Sequence, residues 1–566
     1  MKPNMRSAAV VKLVIIWCAV AAARAQSFPG KPGGNLVLAY TSEPKTLNPL
    51  VATDQATRDI LHSISADLVH INRLTLRTEP ALARSWDVSR DGLHYTLVLR
   101  DGLRFSDGTP LTADDVVFTF QAYLDPRVNS PQRDLLLVDG KPIAVTKLSA
   151  HSVRFDLPAP YAPGERLFDS FWILPKNRLE KAYGESRLAQ VWGTSSPPSE
   201  IVTAGPFRLR QYVPGQRLVL ERNPYYWKKD SSGRALPYLD QVEVLFAADQ
   251  NAQMLRLISG EAQAAARLRV EDVARLEKTP FLRTFDAGPG LEYNFLFFNW
   301  NTPGPERNWF RSLKFRQALA YAVDRDAIVR LVYQGRGSAI SSQVTPGNKL
   351  WRSDKATSYP FNPARAGELL RQAGFQRDSS GALLDGERRP VKFTLMVSSS
   401  NQLRRKMAAL VQEDLGRVGI QARLVPTEFG AMMNAVLQTR KFEAVLWGLV
   451  SGDADPNSEM NVWSSSGTLH LWNLKPAGGA RQSLEPWEEE VDRLMRLQMT
   501  ATDFKKRKSA YDRVQQLVSD NLPLIFLVSP HVLAVANRNL GNAAPAVMEP
   551  VLLWNCDRLF WIRPPQ

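Results

Sequence analysis

The run Asp453-Ala-Asp455-Pro-Asn457-Ser-Glu459 sets four oxygen-bearing side chains at alternate positions. This is the D-x-D-x-N opening of a calcium loop, but the register then fails. Ser458 stands at the sixth position, where glycine makes the sharp turn, and Ser464 stands at the twelfth, where a bidentate glutamate belongs. Metal is therefore not the expected partner. Two readings stay open: a pair of solvated loop aspartates, or acids that fix a positive group on a ligand.

No other constellation argues for chemistry. The chain lacks a G-x-S-x-G elbow, a GxxxxGK[ST] loop, a GxGxxG turn and an HExxH helix. Its six histidines, at 62, 70, 94, 151, 470 and 531, never fall at metal-ligand spacing within a helix. A catalytic triad can assemble from distant residues, so a secreted hydrolase remains an alternative without positive support. The expectation is a binding protein without cofactor or metal.

The elements around the acidic loop are readable. Strands at 391–397, 420–425 and 442–447 alternate with helices at 402–417 and 429–439, a βαβαβ unit and hence a parallel sheet. The third strand ends in Val445-Leu-Trp447-Gly448, so the acids should lie in the crevice at strand carboxyl ends, where open α/β sheets hold ligands. Trp447, Gly448, Asp453, Asp455 and Trp463 are the candidate ligand-binding residues. Trp447, Trp463 and Trp472 would also suit stacking on a sugar.

Upstream, Asp91-Gly92 and Asp101-Gly102 flank the alternating run His94 to Arg100, which reads as a small antiparallel meander. Thr112, with Asp115 three residues on, reads as a capping box for a helix through Val116 and Phe120. Asp54 to Val69 reads as a helix, as do Asp249 to Ser259 before Gly260, Asn362 to Gly374, and Phe504 to Asp520. Apolar strands are expected at Asn35 to Tyr40, Tyr238 to Phe246, Leu291 to Asn299 and Leu522 to Val528. Pro158, Pro160, Pro163 and Pro175 argue against long regular elements before Pro198.

The 566 residues suffice for two or three domains, and 44% hydrophobic with 22% charged residues is ordinary globular composition. A net charge of +15 invites a nucleic-acid reading. Basic residues are scattered among acids without a cluster interleaved with aromatics, so no nucleic acid is expected as a partner. Residues 1–25 carry Lys2, Arg6 and Lys12, the apolar run Leu13 to Ala23, and Ala23-Arg24-Ala25 before Gln26, the order of a cleavable secretory signal. Removing it leaves Cys556 as the sole cysteine, so no intrachain disulfide forms after export.

The wording of several stretches carries more than their patterns. Glu79 to Phe120 contains LARSWDVSRDGLHYTLVLRDGLRFSDGTPLTADDVVF; Thr203 begins TAGPFRL, followed by VPGQRLVLERNPYYW; Phe315 begins FRQALAYAVDRDAIV. These resemble the extracellular solute-binding proteins of family 5, the dipeptide- and oligopeptide-binding receptors of ABC importers, whose relatives also take nickel chelates or oligosaccharides. The resemblance implies an α/β, two-lobed periplasmic-binding-protein fold of class II type with an additional inserted domain. By that likeness, residues 26–56, 201–286 and 525–566 form domain I, 57–200 the insertion, and 287–524 domain III. It implies a periplasmic, monomeric receptor that delivers peptides to ABC transporter permease subunits. A metallophore, nickel chelate or oligosaccharide is the alternative solute. Asp455-Pro456 matches the family's DP, and the aspartate that binds a peptide's α-ammonium in relatives corresponds best to Asp453, although the spacing from Trp447 is longer by two or three residues.

Overall fold

The turn chemistry of the Asp-Gly pairs is realised directly. Gly92 and Gly102 sit at φ 72° and 70°, which a side chain would strain. Between them His94–Leu99 pairs with Ala83–Val88, and its other edge takes Ser152–Asp156, flanked in turn by Ala144–Ser149. All pairs are antiparallel. Tyr95, Leu97 and Leu99 turn inward and are buried. The helix Ala113–Leu124 covers the sheet, with Phe120 meeting Phe155 edge-on at 4.8 Å. Thr112 and Asp115 form the expected capping box. The last two strands come from the segment expected to be irregular; its breaking prolines all lie beyond Asp156.

This computed structural model describes residues 29–169, 171–474 and 483–563, and the expected signal segment 1–25 lies outside the described residues. Asp54 caps a helix by accepting from the Thr57 amide at 2.8 Å, but the helix is Gln55–Ile64, shorter than the sequence pattern suggests. A tertiary contact ends it. The Ile64 carbonyl is taken by the Gly205 amide at 2.8 Å, and Ser65 turns extended at φ −107°, ψ 172°. A Cβ on Gly205 would lie 2.3 Å from the Ile64 carbonyl carbon, so only glycine permits the approach.

Two larger sheets organise the rest. The first runs in the order Phe207–Val213, Arg217–Arg222, Gln241–Phe246, Asn35–Tyr40, Ala264–Ala266, Val528–Asn537, Leu282–Pro289, with Gly337–Ala339 added beside Val528–Asn537. The second runs Gln421–Thr427, Lys392–Ser398, Ala444–Val450, Glu292–Phe298, Leu524–Phe526. Its first three strands are parallel, as the βαβαβ pattern requires, with the helix Gln402–Arg417 between two of them. The second crossover is irregular: Phe429–Met433 is α-helical, and Asn434–Thr439 widens into a π turn.

The chain passes between the two sheets in two neighbouring strands. Leu282–Pro289 leaves the first sheet and continues as Glu292–Phe298 in the second. Leu524–Phe526 leaves the second and continues as Val528–Asn537 in the first. Across the crossing the two segments stay bonded, Gly290 N–H to Pro530 O at 2.9 Å and Leu527 N–H to Asn294 O at 2.8 Å. A bulge between Asp286 and Pro289, with Gly288 at φ 85°, bends the ribbon there.

The contact at Gly205 gives a test. Gly205→Ala forces its methyl into the Ile64 backbone, an overpacking that costs about 1–3 kcal/mol. A urea midpoint unchanged from the parent would show that the helix end yields freely.

Candidate functional site

The second sheet's central strand, Ala444–Val450, reaches the crossing ribbon, and the acidic loop follows it. The strand continues past Gly448, where the sequence had suggested it stops. Trp447 is buried in the core, its ring 6.4 Å from Phe297. Trp463 is also buried, donating Nε1–H to Glu459 at 2.8 Å and packing 6.0 Å from the equally buried Trp472. All three indoles belong to one buried hydrophobic core and present little surface to a cleft.

Gly448 has a different use. A Cβ there would lie 2.4 Å from Arg404 Nη2 and 2.5 Å from Asn294 Oδ1. The bare backbone lets Arg404 lie across the strand, donating from Nε to Asn294 and from Nη2 to Glu292, both at 2.9 Å. Arg404 comes from the first turn of Gln402–Arg417, whose start is fixed by the Asn401 cap.

Beyond Leu446 one edge of this strand has no strand partner; Gly448 there is buried and Val450 exposed. On one side the strand pairs with Glu292–Phe298 along its whole length. On the other it pairs with Lys392–Ser398 only from Ala444 to Leu446. Ser451 N–H donates to Leu291 O and Asn299 N–H to Glu443 O, so odd-numbered residues face the paired side. By alternation, the amides and carbonyls of Gly448 and Val450 face the unpaired edge.

Both aspartates are already engaged by arginines. Asp455 is 4% exposed and accepts from Arg507 Nη2 at 2.9 Å on each oxygen. Burial holds its pKa above the usual carboxylate range, against the pull of Arg507. Asp453 accepts two hydrogen bonds from Arg166, one of them from Nε at 2.6 Å. Arg166 belongs to Gly164–Leu167, beside the four-stranded sheet, so this pair bridges the acidic loop to the inserted region. Nearby, Ala162 N–H donates to Met499 O at 2.7 Å. Guanidinium occupation of both acids agrees with the failed calcium register. Glu459 is buried too, held by Ser451 Oγ–H and Trp463 Nε1–H, and burial again raises its pKa.

Sequence reasoning missed Arg166, Arg404 and Arg507. Arg507 did leave a signal: it sits on the apolar face of Phe504–Asn521, in step with Ala510, Tyr511, Val514 and Val518. A cation on a core-facing stripe calls for a buried acid. Arg166 and Arg404 gave no such sign, because their partners lie 287 and 110 residues away.

Two sheets joined by a paired ribbon, with an open strand edge at the join, make a two-lobed solute-binding fold. The description "Bacterial extracellular solute-binding proteins, family 5 Middle" matches residues 77–469, well over half of the chain, and the protein belongs to that family. Among curated relatives, a probable ABC transporter-binding protein of Deinococcus radiodurans is 29% identical, over 88% of this chain and 87% of its own. The solved structure of the ABC transporter substrate-binding protein CtaP from Listeria monocytogenes superposes with a TM-score of 0.78 at 27% identity, covering 94% of this chain and all of that one. The oligopeptide-binding protein AppA of Bacillus subtilis, solved in complex with a nonapeptide, gives 0.69 at 26% identity, again over 94% and 100%. The relatives are solute-binding receptors, and this protein is a receptor of ABC-transporter type, not an enzyme. No helix among the described residues is long and apolar enough to cross a membrane.

Two outcomes follow from the buried charges. Arg507→Ala leaves Asp455 uncompensated in the interior, which typically costs about 3–5 kcal/mol, measurable by chemical denaturation. For Glu459, a raised folded pKa means its stabilising contribution is complete below 4.5 and is lost as pH rises through the folded value. Glu459→Gln cannot ionise, so the variant should lose less stability than the parent as pH rises above 4.5. An equal loss in both proteins would exclude Glu459 as a source of the pH dependence.

Proposed function

We propose that the protein captures peptides between its two lobes and delivers them to the permease subunits of an ABC importer. The observation that carries this reading is the open edge at Gly448 and Val450, beside the ribbon that joins the lobes. A peptide laid there as an added strand satisfies main-chain donors and acceptors on both partners, whatever its side chains. The mature chain acts as a periplasmic monomer, exported by the segment 1–25. Its lobes are the domain I segments (26–56, 201–286, 525–566) with the insertion 57–200 on one side, and domain III (287–524) on the other. The ribbon at 289–292 and 526–528 serves as hinge, and ligand favours closure by its preference for the closed state.

Charged ends have two partners near this edge. Arg404, shared with Glu292, suits a carboxylate. Asp453, with its side chain 22% exposed, is the aspartate a ligand ammonium can share with Arg166, whereas Asp455 is committed to Arg507.

Denaturing the purified protein and identifying the released ligand by mass spectrometry should find peptides; a metal chelate or oligosaccharide would replace this reading. With such a peptide, solution scattering should show a smaller radius of gyration. Val450→Pro deletes an amide that faces the open edge and should weaken binding about three- to tenfold, the worth of one hydrogen bond. Replacing single peptide amides by esters should reproduce that loss at the positions that pair. Calorimetry on free and amino-acetylated peptides tests the end: Asp453→Asn should weaken only the free amine, and equal affinities for both peptides in the parent would release Asp453 from that role.

A further inference from the structure

Away from the lobe junction, a groove of about 810 Å³ opens between the inserted region and the carboxyl-terminal segment of the first lobe. His62, Asp67 and His70 line it on one side, and Trp554, Cys556 and Asp557 on the other. Behind His70 stands Asp169. One donor atom from each of Asp67, His70 and Asp169 falls within 4.8 Å of the others, and among the described residues this is the one such cluster of metal-ligand types.

We propose that Asp67, His70 and Asp169 bind a first-row divalent transition-metal ion, of the class of Zn²⁺ or Ni²⁺, entering from this groove. His70 Nδ1 lies 3.3 Å from Asp67 Oδ2 and 3.5 Å from Asp169 Oδ1. Ligand atoms at the corners of a tetrahedron with bonds near 2.0–2.1 Å stand about 3.4 Å apart, which the two imidazole–carboxylate separations already match, while the two carboxylate oxygens, within 4.8 Å of each other, draw together around the ion. The donor set decides the class: an imidazole suits zinc or nickel, and two carboxylates neutralise the ion's charge. Magnesium and calcium want more oxygens than this corner offers.

The surroundings are those of a supported site. Asp169 Oδ1 accepts from the Ile71 amide at 2.7 Å and from Arg73 Nη1 at 3.1 Å, and Oδ2 accepts from Arg73 Nη2 at 3.0 Å, so the carboxylate is firmly oriented and an ion would take the place of the Nη1 bond. Arg73 also contributes a positive charge, which tempers the affinity. Asp67 and Asp169 have side chains 8% and 6% exposed, so water competes poorly for them. The Asp67 carboxylate has only the His70 nitrogen as side-chain partner, and both residues line the groove, which supplies the entry path and the open fourth position. The ion would tie the strand Val69–Ile71 to the loop at Asp169, locking the inserted region onto itself.

The test uses the full mature protein, dialysed against chelator and then titrated with ZnCl₂ and NiCl₂ by calorimetry in a non-coordinating buffer. One ion per chain should bind in the micromolar range or tighter, with a rise in melting temperature. Asp67→Asn and His70→Gln should each weaken binding at least about tenfold, with circular dichroism unchanged. Substituted Co²⁺ should show the visible absorption of a four-coordinate site with nitrogen and oxygen ligands. Absence of stoichiometric binding, or binding unaltered in both variants, would overturn the proposal and leave the cluster a salt bridge with Arg73. Peptide affinity reads the junction site separately, so it should not change with either substitution.

Discussion

The double strand that joins the two large sheets constrains everything else. A single crossing would leave the lobes free to swivel, while two crossings bonded to one another define an axis. Gly290 to Pro530 and Leu527 to Asn294 hold the segments in register as they leave one sheet and enter the next, and Ser529 Oγ–H adds a bond to the Gly290 carbonyl. Thr345 Oγ–H donates to that same carbonyl, and Gly347 lies so close that a Cβ would meet Pro289 O at 2.0 Å. The loop at 345–347 therefore packs directly against the bend, next to the bulge between Asp286 and Pro289. Sequence-distant strands become neighbours by this means, and the acidic loop is delivered to the bend because its strand pairs with one of the crossing pair.

Much of the fold was legible because local chemistry agreed with it. The Asp-Gly turns, the Thr112 capping box, the left-handed Gly260 after Gln250–Ser259 and the Asn362–Pro363 helix start are decided within a few residues. Where a distant contact decides, the pattern misled. The helix after Asp54 has an apolar face that runs on past Ile64, and nothing nearby announces that Gly205 will take its last carbonyl. The same limit applies to the candidate site. Asp453 and Asp455 stood out as acids in a loop after a strand, but their arginines come from helices far along the chain. Trp447 read as a cleft residue because it lies near a strand's end in the sequence. The strand runs three residues further and the indole turns to the core.

That redistribution of roles alters the physics of recognition. An acid buried against an arginine is a poor selector, since a ligand ammonium must displace a partner that already makes two hydrogen bonds. Main-chain groups at Gly448 and Val450 are reserved by no such partner on their open side. A receptor that reads mostly backbone, as proposed here, tolerates many side chains.

The pair Arg166–Asp453 then has a consequence for closure. It joins the short helix Gly164–Leu167 to the acidic loop after Ala444–Val450, with side chains 10% and 22% exposed, and under the proposed hinge closure such a contact belongs to the closed state. Its strength adds to the closed state whether or not a ligand is present. Ligand-driven closure needs the empty protein to open readily, which requires this pair to be weak on its own. The pair is mostly buried, so its strength is limited by the desolvation of both ions, which offsets much of their attraction. A peptide ammonium arriving beside Asp453 would loosen Arg166 while adding its own contacts on the open edge. On the proposed mechanism the ammonium takes the place of Arg166 at Asp453 within the closed state, and main-chain bonds on the unpaired edge add to that exchange.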